Sequence, residues 1–331
     1  MKKTSLTGVK PTGTPHLGNY LGAIRPALRL TESYQGLYFI ADYHAVTTER
    51  DPLALRASVY DVAATWLASG LDPKTTLLYR QSDVPEVFEL AWVLSCMVAT
   101  GQLERGHAYK AAVDRGQAAN AGIFYYPVLM AADIILYDTH VVPIGQDQRQ
   151  HLELARDMAI RLNHHYGEGT VVVPEPLITE APLVPGFDGN KMSKSQNNGF
   201  SIFLPSKDLR KQVMKFVTGS ELLEEPKLAA GTVWGLYQLV ATLPEQEALA
   251  AKLAAGNYGW GHAKQDLFEA LNRELTPLRE RYGALRKDER ALEETLLDGA
   301  GRARSIARRT VDRVRSAIGV AAAAPGLPPG G

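Results

Sequence analysis

In the first half of the chain, short apolar runs of strand length alternate with stretches whose apolar residues return every three or four positions. That alternation limits the fold more than any other feature. Parallel strands need a crossover between them, and a helix is its usual form. Residues 4–9 form the first strand candidate and lead into Lys10-Pro11-Thr12-Gly13-Thr14-Pro15, a turn-rich loop. Leu17, Leu21, Ile24 and Leu28 then recur at helical spacing, which predicts a helix from near Gly18. Further strands are expected at 37–41, 76–79 and 140–144, and helices at 53–69, 84–100 and near 127–137. The polar segment 103–121, with several Gly and Ala, reads as an irregular insertion. From about Ser206 only helical patterns remain, over 211–217, 232–242, 245–255, 262–281 and 300–318. The expected architecture is therefore α/β, a doubly wound parallel sheet followed by a helical domain. A tail of Ala, Pro and Gly at 321–331 is expected to be disordered.

A length of 331 residues favours two domains and suffices for a substantial core. Lys+Arg and Asp+Glu each total 36, so net charge gives no sign of a nucleic-acid partner, and any basic surface must be local. The one cysteine, Cys96, excludes an intrachain disulfide, a Cys-rich zinc site and an iron–sulfur cluster. Within the apolar stretch 93–98 it reads as a small core residue. No apolar segment follows Met1-Lys2-Lys3, and no apolar run is long enough to cross a bilayer, so a cytoplasmic location without membrane contact is expected.

Two stretches carry candidate chemistry. Thr12-Gly13-Thr14-Pro15-His16-Leu17-Gly18-Asn19 lies where a strand ends and a helix begins, a place where free N–H groups and the helix dipole favour anions. His16 and Asn19, three apart, share one face of the first turn, and Gly18 would let a ligand approach the backbone. The same residues also suit a plain Pro/Gly turn. Lys191-Met192-Ser193-Lys194-Ser195, flanked by Gly186, Gly189 and Asn190, offers two ammonium groups and two hydroxyls to a triphosphate, or forms a solvated basic turn. A third stretch, 125–137, holds Asp133 on an otherwise apolar helix face. A carboxylate there needs an ion-pair partner, solvent or a ligand donor; an indole N–H is such a donor, and Met130 adds soft contact to a ring. Asp147 and Gln150 make a capping box for a helix after the strand at 140–144.

Together, the His-Leu-Gly-Asn element and the Lys-Met-Ser-Lys-Ser loop resemble the class I aminoacyl-tRNA synthetases. The blocks at 125–137 and 142–157, with Asp42 to Thr47, Gln81 to Glu86 and Gly101 to Arg105, narrow the resemblance to the tryptophanyl-tRNA synthetases, up to about Ile318. The resemblance implies a Rossmann-like catalytic domain over 1–200 with an insertion at about 101–122, and a helical anticodon-binding domain over 201–320. It implies an ATP site of Lys10, Pro11, Thr12, Gly18, Asn19, Gly145, Gln146, Asp147, Leu183, Lys191, Met192, Ser193, Lys194 and Ser195. Catalysis would fall to His16, Asn19, Lys191, Lys194 and Ser195. Tryptophan would meet Asp133 through its indole N–H, Leu6, His44, Met130, Val142 and Ile144 around the ring, and Tyr126 and Gln148 at its amino and carboxylate groups. ATP with Mg2+ and tRNA(Trp) would be the other partners, in a homodimer without a structural metal.

Two positions depart from the family's pattern. Lys10 stands where many members have Gln, and Ala112 where many have a lysine. Arg302, Arg304, Arg308, Arg309, Arg313 and Arg315 make the last helix basic, which suits either phosphate contacts or a solvated face. A tyrosyl enzyme of the same fold, a nucleotidylyltransferase and a non-catalytic paralogue are the competing readings.

Overall fold

The computed structural model describes residues 2–106, 109–110, 114, 120–145, 148–178, 182–194 and 196–320. Five parallel strands form one sheet: β1 (Thr4–Val9), β2 (Gln35–Ile40), β3 (Leu77–Arg80), β4 (Val141–Ile144) and β5 (Glu175–Ile178), in the order β3-β2-β1-β4-β5. β1 pairs with β2 along its whole length, from Thr4 opposite Gln35 to Val9 opposite Ile40. On its other side it meets β4 at Ser5 and Val141. The expected doubly wound sheet is what the chain forms. Strand order reverses beside β1, so the crevice beyond the carboxyl ends of β1 and β4 is where an open α/β sheet binds ligands.

Before β3 come α1 (Leu17–Asn19), which runs through one π-helical turn (Tyr20–Ile24) into α2 (Arg25–Arg29), the short α3 (Asp42–Ala45) and α4 (Pro52–Ala68). Then come α5 (Glu86–Ser95), α6 (Thr100–Glu104), α7 (Ala121–Ile135) and α8 (Arg149–Tyr166). Helices follow as α9 (Ser206–Val213), α10 (Gly231–Val240), α11 (Leu243–Ala255), α12 (Trp260–Lys287) and α13 (Glu289–Ile318). Among the described residues no helix is long and apolar enough to cross a membrane.

The helix expected over 84–100 is two. Cys96 and Met97 bond back three residues to the carbonyls of Val93 and Leu94, and Gln102 caps the next start at the N–H of Ala99. Cys96 is exposed rather than a core residue, because it follows the end of α5 and lies off the face of buried Leu90 and Leu94. The strand β5 (Glu175–Ile178) escaped the pattern, being half-buried and short. The tail 321–331 and Ala112 lie outside the described residues.

Alternating strand residues feed two cores. Tyr38, Ile40 and Leu78 pack with α4 and the later helices, whereas Leu6, Leu37, Phe39, Tyr79, Val142 and Ile144 pack with α5, α7 and α8. The last helix joins both: Leu292 and Leu296 belong to the first core, Ala300, Ala303, Ala307, Val311 and Val314 to the second. At the crossing, a Cβ on Gly299 would lie 2.0 Å from the carbonyl oxygen of Leu78. Only glycine lets the helix backbone touch β3.

Five arginines of α13 serve this docking. Arg304 and Arg308 reach Glu86 at 3.0 Å, Arg315 reaches Glu89 at 2.6 Å, Arg313 bonds Asp138, and Arg302 donates to the carbonyl of Pro73 at 2.7 Å. These five are tied to the sheet domain and its helices rather than presented as one phosphate-binding stripe.

Gly299→Ala is expected to destabilise the chain by about 3 kcal/mol, the upper end for forced overpacking. Urea unfolding measures it, and an unchanged midpoint would contradict the close crossing.

Candidate active site

β1 ends at Val9, and the loop from Lys10 to Pro15 delivers the chain to His16, the N-cap of the first helical turn. His16 Nδ1 accepts from the N–H of Asn19 at 3.2 Å, and Asn19 Oδ1 accepts from the N–H of His16 at 3.1 Å. The reciprocal cap explains the spacing of three and fixes the tautomer: with Nδ1 accepting, the neutral ring carries its proton on Nε2. Burial, then the charge of Lys194, holds the His16 imidazole below its usual range, so it is neutral at physiological pH.

The lysine loop is folded against this turn. Asn198 is buried and organises it, accepting from the N–H of Ser193 at 2.8 Å and donating to Asp188 at 2.9 Å and to the carbonyl of Lys191 at 3.2 Å. Met192 is the wedge. Its sulfur accepts from the N–H of Gly18 at 3.2 Å, and a Cβ at Gly199 would lie 2.6 Å from its Cγ. A Cβ on Gly18 would lie 2.9 Å from the His16 ring and 3.2 Å from Met192. A side chain at position 18 would therefore meet protein, so the glycine also serves the docking of the lysine loop. Lys194 Nζ donates to the carbonyl of Thr12 at 2.6 Å, joining the two stretches across 182 positions. Burial lowers the Lys194 pKa.

Between them lies a cleft of about 720 Å³ lined by Thr12, His16, Gly18, Asn19, Leu183, Lys191, Met192, Ser193 and Lys194 among others, a volume within the usual range for a small-molecule site. A second cavity, of about 320 Å³, shares Thr12, Asn19 and Lys194 with it and adds Lys10 and Gly145 at the strand ends, with Trp66 and Val62 beneath. Lys10 Nζ donates to the hydroxyls of Thr48 at 3.0 Å and Thr47 at 3.3 Å, and burial lowers its pKa. Pro11 is buried and is not among the lining residues of either space.

Asp133 stands on α7, 3% exposed, with Leu6, Val142 and Ile144 in the same core and Met130 packed against it. Its carboxylate meets His44 Nε2 at 2.8 Å and the Gln81 amide at 2.8 and 2.9 Å. Burial raises its pKa, against the pull of His44 and Gln81. The His44 ring is edge-on to Tyr126 at 6.4 Å; the Tyr126 hydroxyl lies 2.6 Å from His151 Nε2, and His151 Nδ1 lies 3.2 Å from the Gln148 side-chain oxygen. A polar string thus runs from Asp133 to the start of α8. Asp133 lines neither cleft, being enclosed by its own partners.

A family model described as tRNA synthetases class I (W and Y) matches residues 2–276. The tryptophan–tRNA ligase of Xylella fastidiosa strain 9a5c is 48% identical over 95% of the chain and 75% of its own length. That of Fusobacterium nucleatum is 43% identical over 96% and 98%. The chain belongs to the tryptophanyl-tRNA synthetases. A solved Campylobacter jejuni tryptophanyl-tRNA synthetase, complexed with ADP and tryptophan, superposes with a TM-score of 0.90 at 41% identity, over 96% of this chain and 99% of that one.

Within the synthetase, the His16 turn and the lysine loop converge on one cleft, and of the residues expected around an indole Leu6, Met130, Val142 and Ile144 share one core, with His44 bonded to Asp133. Gln146, Asp147 and Ser195 lie outside the described residues, as does the capping box expected from Asp147. Sequence reasoning did not single out Gln81, His151 or the pairing of Asp42 with Ser82. Gln81 was findable as a polar residue just past the carboxyl end of an apolar strand, where such sheets place ligand contacts. His151, three residues after Gln148, shares its helix face.

In Gly18→Ala the added methyl should lift Met192 and loosen the loop. Trypsin cleavage after Lys191 or Lys194 is expected to run roughly tenfold faster than in the parent chain, as about 1.4 kcal/mol of overpacking strain would favour local opening. Equal cleavage rates would show that the wedge does not hold the loop.

Proposed function

We propose that this chain is a tryptophan–tRNA ligase. It joins L-tryptophan to ATP as tryptophanyl-adenylate with release of pyrophosphate, then passes tryptophan to the 3′-terminal adenosine of tRNA(Trp). The observation that carries the reading is the convergence of His16, Asn19, Lys191 and Lys194 on one cleft in a chain 48% identical to a tryptophan–tRNA ligase. The two clefts would take ATP, with Leu183 beside the adenine, Gly145 and Asp147 toward the ribose, and Lys10, Thr12 and the loop from Lys191 to Ser195 toward the phosphates. The Campylobacter relative holding ADP and tryptophan supports both substrates.

Activation is an in-line attack of the tryptophan carboxylate on the α-phosphorus, breaking the bond to pyrophosphate. The neutral His16 ring can donate a hydrogen bond without adding charge, while the Lys191 and Lys194 ammonium groups offset charge growing on the leaving group. Magnesium would arrive with the triphosphate and neutralise the same oxygens; among the described residues no cluster of three His, Cys, Asp or Glu could hold a metal of its own. No covalent enzyme intermediate is required. In the second step the terminal 2′-hydroxyl of tRNA attacks the adenylate carbonyl and AMP leaves.

Asp133 would accept the indole N–H, with Leu6, His44, Met130, Val142 and Ile144 about the ring and Tyr126 and Gln148 toward the amino and carboxylate groups. The helices of 201–320 would read the anticodon. A homodimer would cover the exposed aromatic strip of Phe88, 43% exposed, and Trp92, 70% exposed, on α5, beside Tyr43. A cytoplasmic location suits this activity.

Tryptophan-dependent pyrophosphate exchange tests the reading, and exchange driven by tyrosine instead would overturn it. Lys194→Ala is expected to slow activation by roughly 100- to 1,000-fold, the scale for removing one transition-state contact. Rapid-quench adenylate formation at the parent rate would dismiss the loop's role. Asp133→Ala should reduce the preference for tryptophan over phenylalanine by roughly a hundredfold or more while ATP affinity stays within a few-fold. An unchanged ratio would remove Asp133 from recognition.

A further inference from the structure

Gln81 is 2% exposed and follows β3 immediately. Its Nε2 donates to Asp133 Oδ1 at 2.8 Å and Oδ2 at 2.9 Å, while its Oε1 accepts from the N–H of Tyr43 at 3.2 Å. The bond to Tyr43 decides the sense of the amide, since with the oxygen committed there the NH2 group must face the carboxylate. Next to it, Ser82 closes the same strand end onto α3, its N–H donating to Asp42 at 3.0 Å and its hydroxyl also bonding Asp42. Two adjacent residues thus tie β3, α3 and the carboxylate of α7 together.

The donors on Asp133 are unevenly shared. Among the described residues, Oδ2 receives His44 and Gln81, whereas Oδ1 receives Gln81 alone. A carboxylate oxygen accepts two bonds readily, so Oδ1 keeps an acceptor position. The titratable groups facing Asp133 are His44 and Asp42 from α3, Tyr79 from β3 and Tyr137 just beyond α7. Burial and Asp42 favour the protonated acid; His44 and Gln81 favour the anion. Gln81 cannot titrate, and it presents one NH2 group to both oxygens at once. A glutamate there would repel the anion, and an apolar residue would leave a nearly dry carboxylate to His44 alone.

We propose that Gln81 is a positioning and specificity-determining residue: it holds Asp133 ionised and turned so that Oδ1 accepts the substrate's indole N–H. The inference rests on tryptophan activation and on the role given to Asp133. Phenylalanine brings no donor to Oδ1 and gains nothing from this arrangement, so selectivity for tryptophan depends on the anion that Gln81 maintains.

The test is amino-acid-dependent pyrophosphate exchange across pH, in the full chain and two variants. Gln81→Met keeps the length and removes the donors. Its KM for tryptophan should rise roughly ten- to hundredfold, the loss expected for hydrogen bonds to a charged group. Its KM for ATP should stay within about twofold, since the side-chain bonds of Gln81 to described residues go to Tyr43 and Asp133, neither of which lines the nucleotide clefts, and preference over phenylalanine should fall along with tryptophan affinity. With the anion less favoured, Asp133 takes up its proton at higher pH, so the acid limb of kcat/KM for tryptophan should move upward. Gln81→Glu should do the reverse. Two facing carboxyls share one proton, so its activity is poor at neutral pH and recovers as the pH falls and the glutamic acid again donates.

A structural role alone would weaken both substrates together and leave the acid limb in place; that result, or a parent-like KM for tryptophan in Gln81→Met, overturns the proposal. Should Gln81→Met fail to fold, Gln81→Glu decides, with loss at every pH counting against. A parent chain without tryptophan-dependent exchange refutes the functional reading itself, and this inference falls with it.

Discussion

The parallel pairing of β1 with β2 on one side and β4 on the other governs the rest of the molecule. Because the chain winds away from β1 in both directions, the loops after β1 and β4 leave a crevice that no crossover covers. Lys10, Thr12 and Gly145 reach it as strand ends, and His16 and Asn19 reach it as the first helical turn. Strand ends set positions more tightly than free loops do. The lysine loop, by contrast, belongs to none of the described strands, and its place depends on the Met192 wedge, the Asn198 hub and the bond from Lys194 to Thr12.

Burial tunes the charges gathered there. Lys10, Lys194 and His16 all lose basicity through desolvation, and Asp133 loses acidity. A site so arranged gains by receiving an anion near its cations and a hydrogen-bond donor near its carboxylate, since each ligand supplies part of the solvation that folding removed. The two halves also touch. α3 carries His44 to Asp133, while Thr47 and Thr48, just beyond it, hold Lys10 at the nucleotide side.

Much of this was legible in the residues. Short apolar runs and helical spacing located four of the strands and most helices, because those signals are local. The two chemical stretches were recognisable as types at set spacings. What packing decides was not legible. Gly18 read as an opening for a ligand, and nothing local shows that Met192, 174 positions away, also packs against it. The arginines of α13 read as either phosphate contacts or a solvated face because a charge count cannot see Glu86, Glu89 or Asp138 opposite them. Gln81 lay inside a recognisable block, yet its partners on α3 and α7 come from distant sequence. Cys96 misled because its apolar neighbours belong to a helix that has already ended.

The close crossing of Gly299 over Leu78 has a consequence for how the protein is made. The helix that covers β3 and supplies Ala300, Ala303, Ala307, Val311 and Val314 to the core around α5, α7 and α8 is the last one described. During synthesis the first three hundred or so residues therefore emerge with β3, an outermost strand of the sheet, still without the helix that packs on it. Vectorial folding cannot complete the amino-terminal half early, and a nascent chain stalled before residue 300 leaves the edge strand β3 open to pairing with other chains or to chaperones.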